Sequence, residues 1–175
     1  GAANAAFIPV MSETLEKRKE KAFREVVAAA FGAMILILAV VTVAGVLLVP
    51  EMLEGINVLQ PITGGKEYSP NELALLTALG RWTFPYIFFI GLAVFSMAAL
   101  FTVKHYSTPS WAPALLNVAM IACIWGLAGS SMDPAWALVV GVWIGGVAQV
   151  AVQYYAMGKY TGVWKPTFQL RRKEV

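Results

Sequence analysis

Hydrophobic positions in this chain come in blocks rather than in alternation. Residues 26–49 carry no charge, and neither do 82–103, 111–132 and 135–157. A bilayer core about 30 Å thick needs about 20 apolar residues of helix to cross it. Each block therefore predicts a transmembrane helix, over 26–50, 81–103, 111–132 and 135–157. Residues 1–16, opening GAANAAFIPVMSE, are apolar enough for the second half of a further span, with Pro9 as a kink that a membrane bundle tolerates.

The segments between blocks read differently. KRKEKAFR places a basic loop at 17–25. The connection 51–80 carries the turn signals Pro61, Gly64-Gly65 and Ser69-Pro70. Helix is expected to resume near Asn71, where Leu73, Leu75, Leu76 and Leu79 return at near-helical spacing. A turn at 104–110 and a basic tail at 158–175 complete the pattern. The expected fold class is all-α, a polytopic bundle of transmembrane helices.

Charge orients the bundle. Lys17, Arg18, Lys19, Lys21 and Arg24 crowd the first connection, Lys104 sits beside His105, and Lys159, Lys165, Arg171, Arg172 and Lys173 follow the last span. The 51–80 connection has only Lys66, and 129–134 has no basic residue. Basic and non-basic connections alternate, so by the positive-inside rule 17–25, 104–110 and 158–175 face the cytoplasm.

Composition agrees and narrows the chemistry. The chain is 59% hydrophobic and 13% charged, against about 25% charged residues in an ordinary soluble domain. The net charge of +3 is spent on orientation and gives no argument for nucleic acid. One histidine and one cysteine cannot assemble a His/Cys metal set. No phosphate-cradling loop or catalytic constellation is present, so neither an enzyme nor a cofactor is expected.

What remains are polar groups within the spans, where such side chains tend to face a bundle interior or a wet cavity. They are Asn4, Arg81, Asn117, Gln149 and Gln153. In GGVAQVAVQYY the two glutamines continue a line that begins with Gly141 and Gly145, one residue in four. At about 100° per residue each step turns only about 40°, giving one slowly winding stripe. Gly141 and Gly145 form a Gly-x-x-x-Gly packing surface. Gln149 and Gln153 either bond to a neighbouring helix, at about 0.6 kcal/mol per contact, or line a polar cavity. Asn117 needs a partner or a cavity, whereas Arg81 at its span's end can also snorkel to the interface.

Several stretches are familiar as a set. GAANAAFIPVMSE resembles the second-helix motif of the MurJ/MviN family of lipid II flippases, and RWTFPYIFFIGLA resembles that family's fourth helix. YSTPSWAPALLNVAMI is similar to the start of the fifth helix, and GVWIGGVAQVAVQ to the sixth, with its Gly-Gly-x-x-Gln-x-x-x-Gln pattern. LFTVKHY and the 55–70 connection depart from the family pattern.

The resemblance implies part of the N-terminal lobe of a two-lobe, alternating-access exporter of the multidrug/oligosaccharidyl-lipid/polysaccharide superfamily in a bacterial inner membrane. Its implied partner is lipid II, an undecaprenyl-pyrophosphate-linked precursor, besides membrane lipids and the remainder of the same polypeptide. Asn4, Arg81, Asn117, Gln149 and Gln153 become candidates for the cavity wall. Another exporter of the superfamily, moving a polysaccharide-lipid or a drug, and a non-transporting scaffold packing through Gly141 and Gly145 are the alternatives.

Overall fold

The computed structural model describes residues 2–127 and 130–168, with side chains from residue 19 onward. Five helices follow one another: α1 (Ala2–Leu59), α2 (Pro70–Thr83), α3 (Tyr86–Thr102), α4 (Ser107–Gly126) and α5 (Pro134–Thr161). Among the described residues, four helical stretches have the length and hydropathy to cross a membrane: Lys19–Leu59, Pro70–Thr102, Ser107–Gly126 and Pro134–Thr161.

The boundaries differ from the block pattern for identifiable reasons. Residues 17–25, expected as a loop, continue α1, since Lys, Arg, Glu and Ala are all good helix formers and no Gly or Pro interrupts them. Pro50, expected as an end, lies inside α1; proline removes one backbone donor, a loss that membrane helices tolerate. The helix stops nine residues later in the turn at Gly64, where φ is +83° and the Gly65 amide bonds the Gln60 carbonyl at 2.8 Å. α2 starts at Pro70 behind a capping box: Glu72 accepts from the Ser69 amide at 2.7 Å while the Ser69 hydroxyl accepts from the Glu72 amide. The span expected over 81–103 is divided at Phe84–Pro85, α4 is complete by Gly126, and α5 runs past Gly158-Lys159 to Thr161.

α5 packs most extensively against α4 and then α3, and α1 closes on α3 and α2. The largest apolar cluster joins Val27 and Phe31 of α1, Leu92, Ala99 and Leu100 of α3, and Ala156 and Met157 of α5. Phe31 stacks on Phe95 at 5.4 Å and on Tyr154 at 5.7 Å. Large apolar side chains such as Val40, Leu47, Val118 and Trp125 point outward, as expected of a bundle whose solvent is hydrocarbon.

After α5, Gly162 turns the chain back with φ +73°. Residues 162–168 form a strap across the basic end of the bundle. Val163 is buried, the Tyr154 hydroxyl donates to the Trp164 carbonyl, and the Thr167 amide donates to the Ala28 carbonyl of α1 at 2.9 Å. Gly32 allows this crossing, because a Cβ there would collide with the Thr167 carbonyl. Gly32→Val should lift the strap. Hydrogen exchange at the Thr167 amide is expected to quicken on the order of fivefold, the value of one net hydrogen bond; unchanged exchange would contradict the crossing.

Candidate functional site

The winding stripe on α5 is buried along its whole length. Ala137, Gly141, Gly145, Gln149, Gln153, Met157 and Thr161 succeed one another every fourth residue, and all are buried. Because the line winds, its partner changes along the helix. At Gly141 the backbone of α4 passes so close that a Cβ would lie 2.7 Å from the Met120 Cα, and at Gly145 2.7 Å from the Leu116 Cα. One step further along both antiparallel helices brings Gln149 level with Ala112, which is 0% exposed. A small residue there leaves room for the amide.

The inner half of the stripe meets α3. A Cβ on Gly146 would lie 3.1 Å from the Phe89 ring. α3 and α5 run parallel, so two turns on from that contact Gln153 is level with Ser96, and one further turn brings Met157 level with Leu100. Met157 and Leu100 are both 0% exposed and share the apolar cluster. Gln153 and Ser96 are each 1% exposed, and among the described residues neither the Gln153 Oε1 nor the Ser96 hydroxyl has a hydrogen-bond partner. The two glutamines therefore sit where α3, α4 and α5 converge, inside the packing of the bundle.

The other candidates are placed differently. Asn117 is exposed on α4, between Leu116, whose Cα meets Gly145, and the 62% exposed Val118. Arg81 is exposed and lines a cleft of about 550 Å³ between α1 and α2, together with Pro50, Glu54, Ala74 and Ala78. Asn4 lies outside the residues whose side chains are described. The four described candidates are thus distributed over separate surfaces: the glutamines are brought together, and Asn117 and Arg81 stand apart from them. Among the described residues no group of three or more His, Cys, Asp or Glu side chains could hold a metal ion.

Two residues of interest escaped the sequence reading. Ser96 lies in an apolar run and gives no periodic signal of its own. Trp143 was passed over among six tryptophans, yet its indole Nε1–H donates to the Trp82 carbonyl at 2.7 Å, a bond spanning 61 residues. The signal for it was Pro85, which has no amide hydrogen and disturbs the ladder of carbonyls just before it.

Comparison with known proteins is consistent along the chain. The family model described as lipid II flippase MurJ matches residues 1–175. A probable lipid II flippase MurJ from Vibrio cholerae is 34% identical over 156 residues, covering 87% of this chain and 29% of the relative. The lipid II flippase MurJ of Burkholderia cenocepacia is 32% identical over 160 residues, with 91% and 30% covered. A Haemophilus influenzae relative, also a probable lipid II flippase MurJ, is 30% identical over 178 residues, with 100% and 34% covered. The chain spans about a third of the length of these curated relatives.

Burial separates two kinds of substitution on α5. Gln153→Met keeps the shape and removes an unpartnered amide oxygen, so it should change stability by less than about 1 kcal/mol in either direction. Gly145→Leu drives a side chain into the α4 backbone and should cost roughly 1–3 kcal/mol or more. Thermal unfolding of the full-length protein in detergent checks both. A Gln153→Met loss as large as that of Gly145→Leu would contradict the placement.

Proposed function

The chain belongs to the lipid II flippase MurJ family, and from that premise we propose that it forms part of the N-terminal lobe of a flippase for a lipid-linked peptidoglycan precursor. The lobe sits in a bacterial inner membrane, with 17–25, 104–110 and 158–168 on the cytoplasmic side. The cargo is an undecaprenyl-pyrophosphate carrying a disaccharide-peptide. Its headgroup is large and charged, and an unpaired charge is costly to bring into hydrocarbon. A wet path between two lobes removes that cost while the prenyl tail stays in the bilayer. Alternating access opens the path first to one side and then to the other, and no bond of the cargo is made or broken.

The observation that carries this reading is the exposed amide of Asn117 in the middle of an otherwise apolar span. A side-chain amide facing lipid would be left without partners, at a cost of about 1–3 kcal/mol. On the wall of a polar path it has water or the cargo's sugar and peptide groups to bond. Asn117 is therefore assigned to the cavity wall. Gln149 and Gln153 are assigned to the packed interior of the bundle, and Gly141 and Gly145 to the packing beside them.

The test uses the full-length protein as the sole flippase of a cell. Asn117→Leu should slow transport on the order of two- to tenfold, the value of one amide hydrogen bond, and lipid-linked precursor should accumulate. Asn117→Gln should restore much of the rate. Normal precursor levels with Asn117→Leu at equal protein abundance would remove Asn117 from the path.

A further inference from the structure

α2 and α3 are joined end to end by two residues, Phe84 and Pro85, both with right-handed helical backbone. The joint is not an ordinary stretch of helix. Pro85 has no amide hydrogen, so the Arg81 carbonyl loses its helical donor. The next amides shift to the shorter pattern: Ile87 donates to Phe84 and Phe88 donates to Pro85, each at 3.0 Å. The Trp82 carbonyl, in the last turn of α2, accepts instead from the Trp143 indole of α5 at 2.7 Å. Trp143 is itself held by the edge of Phe89, with ring centroids 5.4 Å apart. This hydrogen bond ties the end of α2 to α5, where the Trp82 side chain also borders Trp136 and Val140.

The two helices on either side of this joint are held very differently. α3 buries Leu92, Ala93, Ser96, Ala99 and Leu100, whereas α2 has no buried residue at all. α2 leans on α1 near Val49, opposite Gly80, and otherwise lies over the cleft of about 550 Å³ that contains Glu54 and Arg81. Few buried contacts and a free cleft beneath are the physical marks of a segment that opens at low cost. A joint with a missing backbone bond is where a helix bends.

Resting on the alternating-access reading above, we propose that α2 is a lid that swings on the Phe84–Pro85 joint over the α1–α2 cleft, and that Trp143 is the positioning residue that latches it through the Trp82 carbonyl. The latch fixes the angle at which α2 leaves α3. Breaking it frees α2 without disturbing the α3–α5 packing further along the helix.

Two measurements on the full-length protein in lipid nanodiscs test this. Trp143→Phe keeps a ring against Phe89 and removes the donor, whereas Trp143→His puts a ring N–H back at a similar reach. Hydrogen exchange in residues 70–88 should rise on the order of fivefold in Trp143→Phe, the value of one net hydrogen bond, with 92–102 unchanged, and should fall back in Trp143→His. Equal exchange in wild type and Trp143→Phe overturns the latch, as does a rise of the same size throughout α3 and α5. In a background with Cys123 and any cysteine of the remaining polypeptide replaced by Ala, Glu54→Cys and Ala74→Cys joined by a reducible thiol cross-linker should stop transport, and reduction should restore it. Transport that continues in the joined protein overturns the lid. A protein that moves no precursor even before joining contradicts the flippase reading instead, and the exchange result still decides the latch.

Discussion

The close approach of α4 to α5 at Gly141 and Gly145 is the contact on which the rest of the bundle depends. Inside a membrane, burying an apolar side chain between helices gains little, because lipid tails are just as apolar. Cohesion has to come from dispersion across close backbones, and two glycines one turn apart let the α4 main chain into contact. That contact sets the register of α4 on α5. The register in turn brings Ala112 level with Gln149, leaves Asn117 exposed, and leaves the inner half of the stripe to α3.

The polar groups follow from this arrangement. Gln149 and Gln153 occupy the point where three helices meet, so their amides are enclosed by the lobe. Asn117 is left exposed on α4. On the proposed reading the glutamines act on shape and Asn117 acts on what passes by. The strap over Ala28 and Gly32 closes the basic end in the same manner as the α4–α5 contact, through a backbone admitted by a glycine. At the opposite end α2 is held by its joint to α3, by the Trp143 bond and by its contact with α1 at Gly80 and Val49.

Much of the fold was legible in the sequence, because hydrocarbon thickness imposes a length on every charge-free run. The four spans follow from that alone, and the helix resuming near Asn71 follows from the spacing of its leucines. The helix through 17–25 was not legible, since a run of Lys, Glu, Arg and Ala suits an exposed loop and an exposed helix equally. Pro50 misled for a related reason, as proline marks an end in water and is absorbed within membrane helices. The stripe on α5 was legible as a stripe, but a single helix does not reveal what it faces. Only the register with α4 and α3 decides between packing and cavity, and that register is set by residues far apart in the chain. The Trp143–Trp82 bond was out of reach for the same reason, although Pro85 announced a disturbed ladder of carbonyls.

The division of labour between the glutamines and Asn117 is tested most directly by the reactivity of single thiols. In the full-length protein with Cys123 and any cysteine of the remaining polypeptide replaced by Ala, Gln153→Cys and Asn117→Cys would each be treated with a charged, water-borne thiol reagent in intact membranes. The account predicts that Asn117→Cys reacts and Gln153→Cys does not. Reaction of Gln153→Cys at the same rate, or silence at Asn117→Cys, would mean that the stripe on α5 and not the face of α4 meets water.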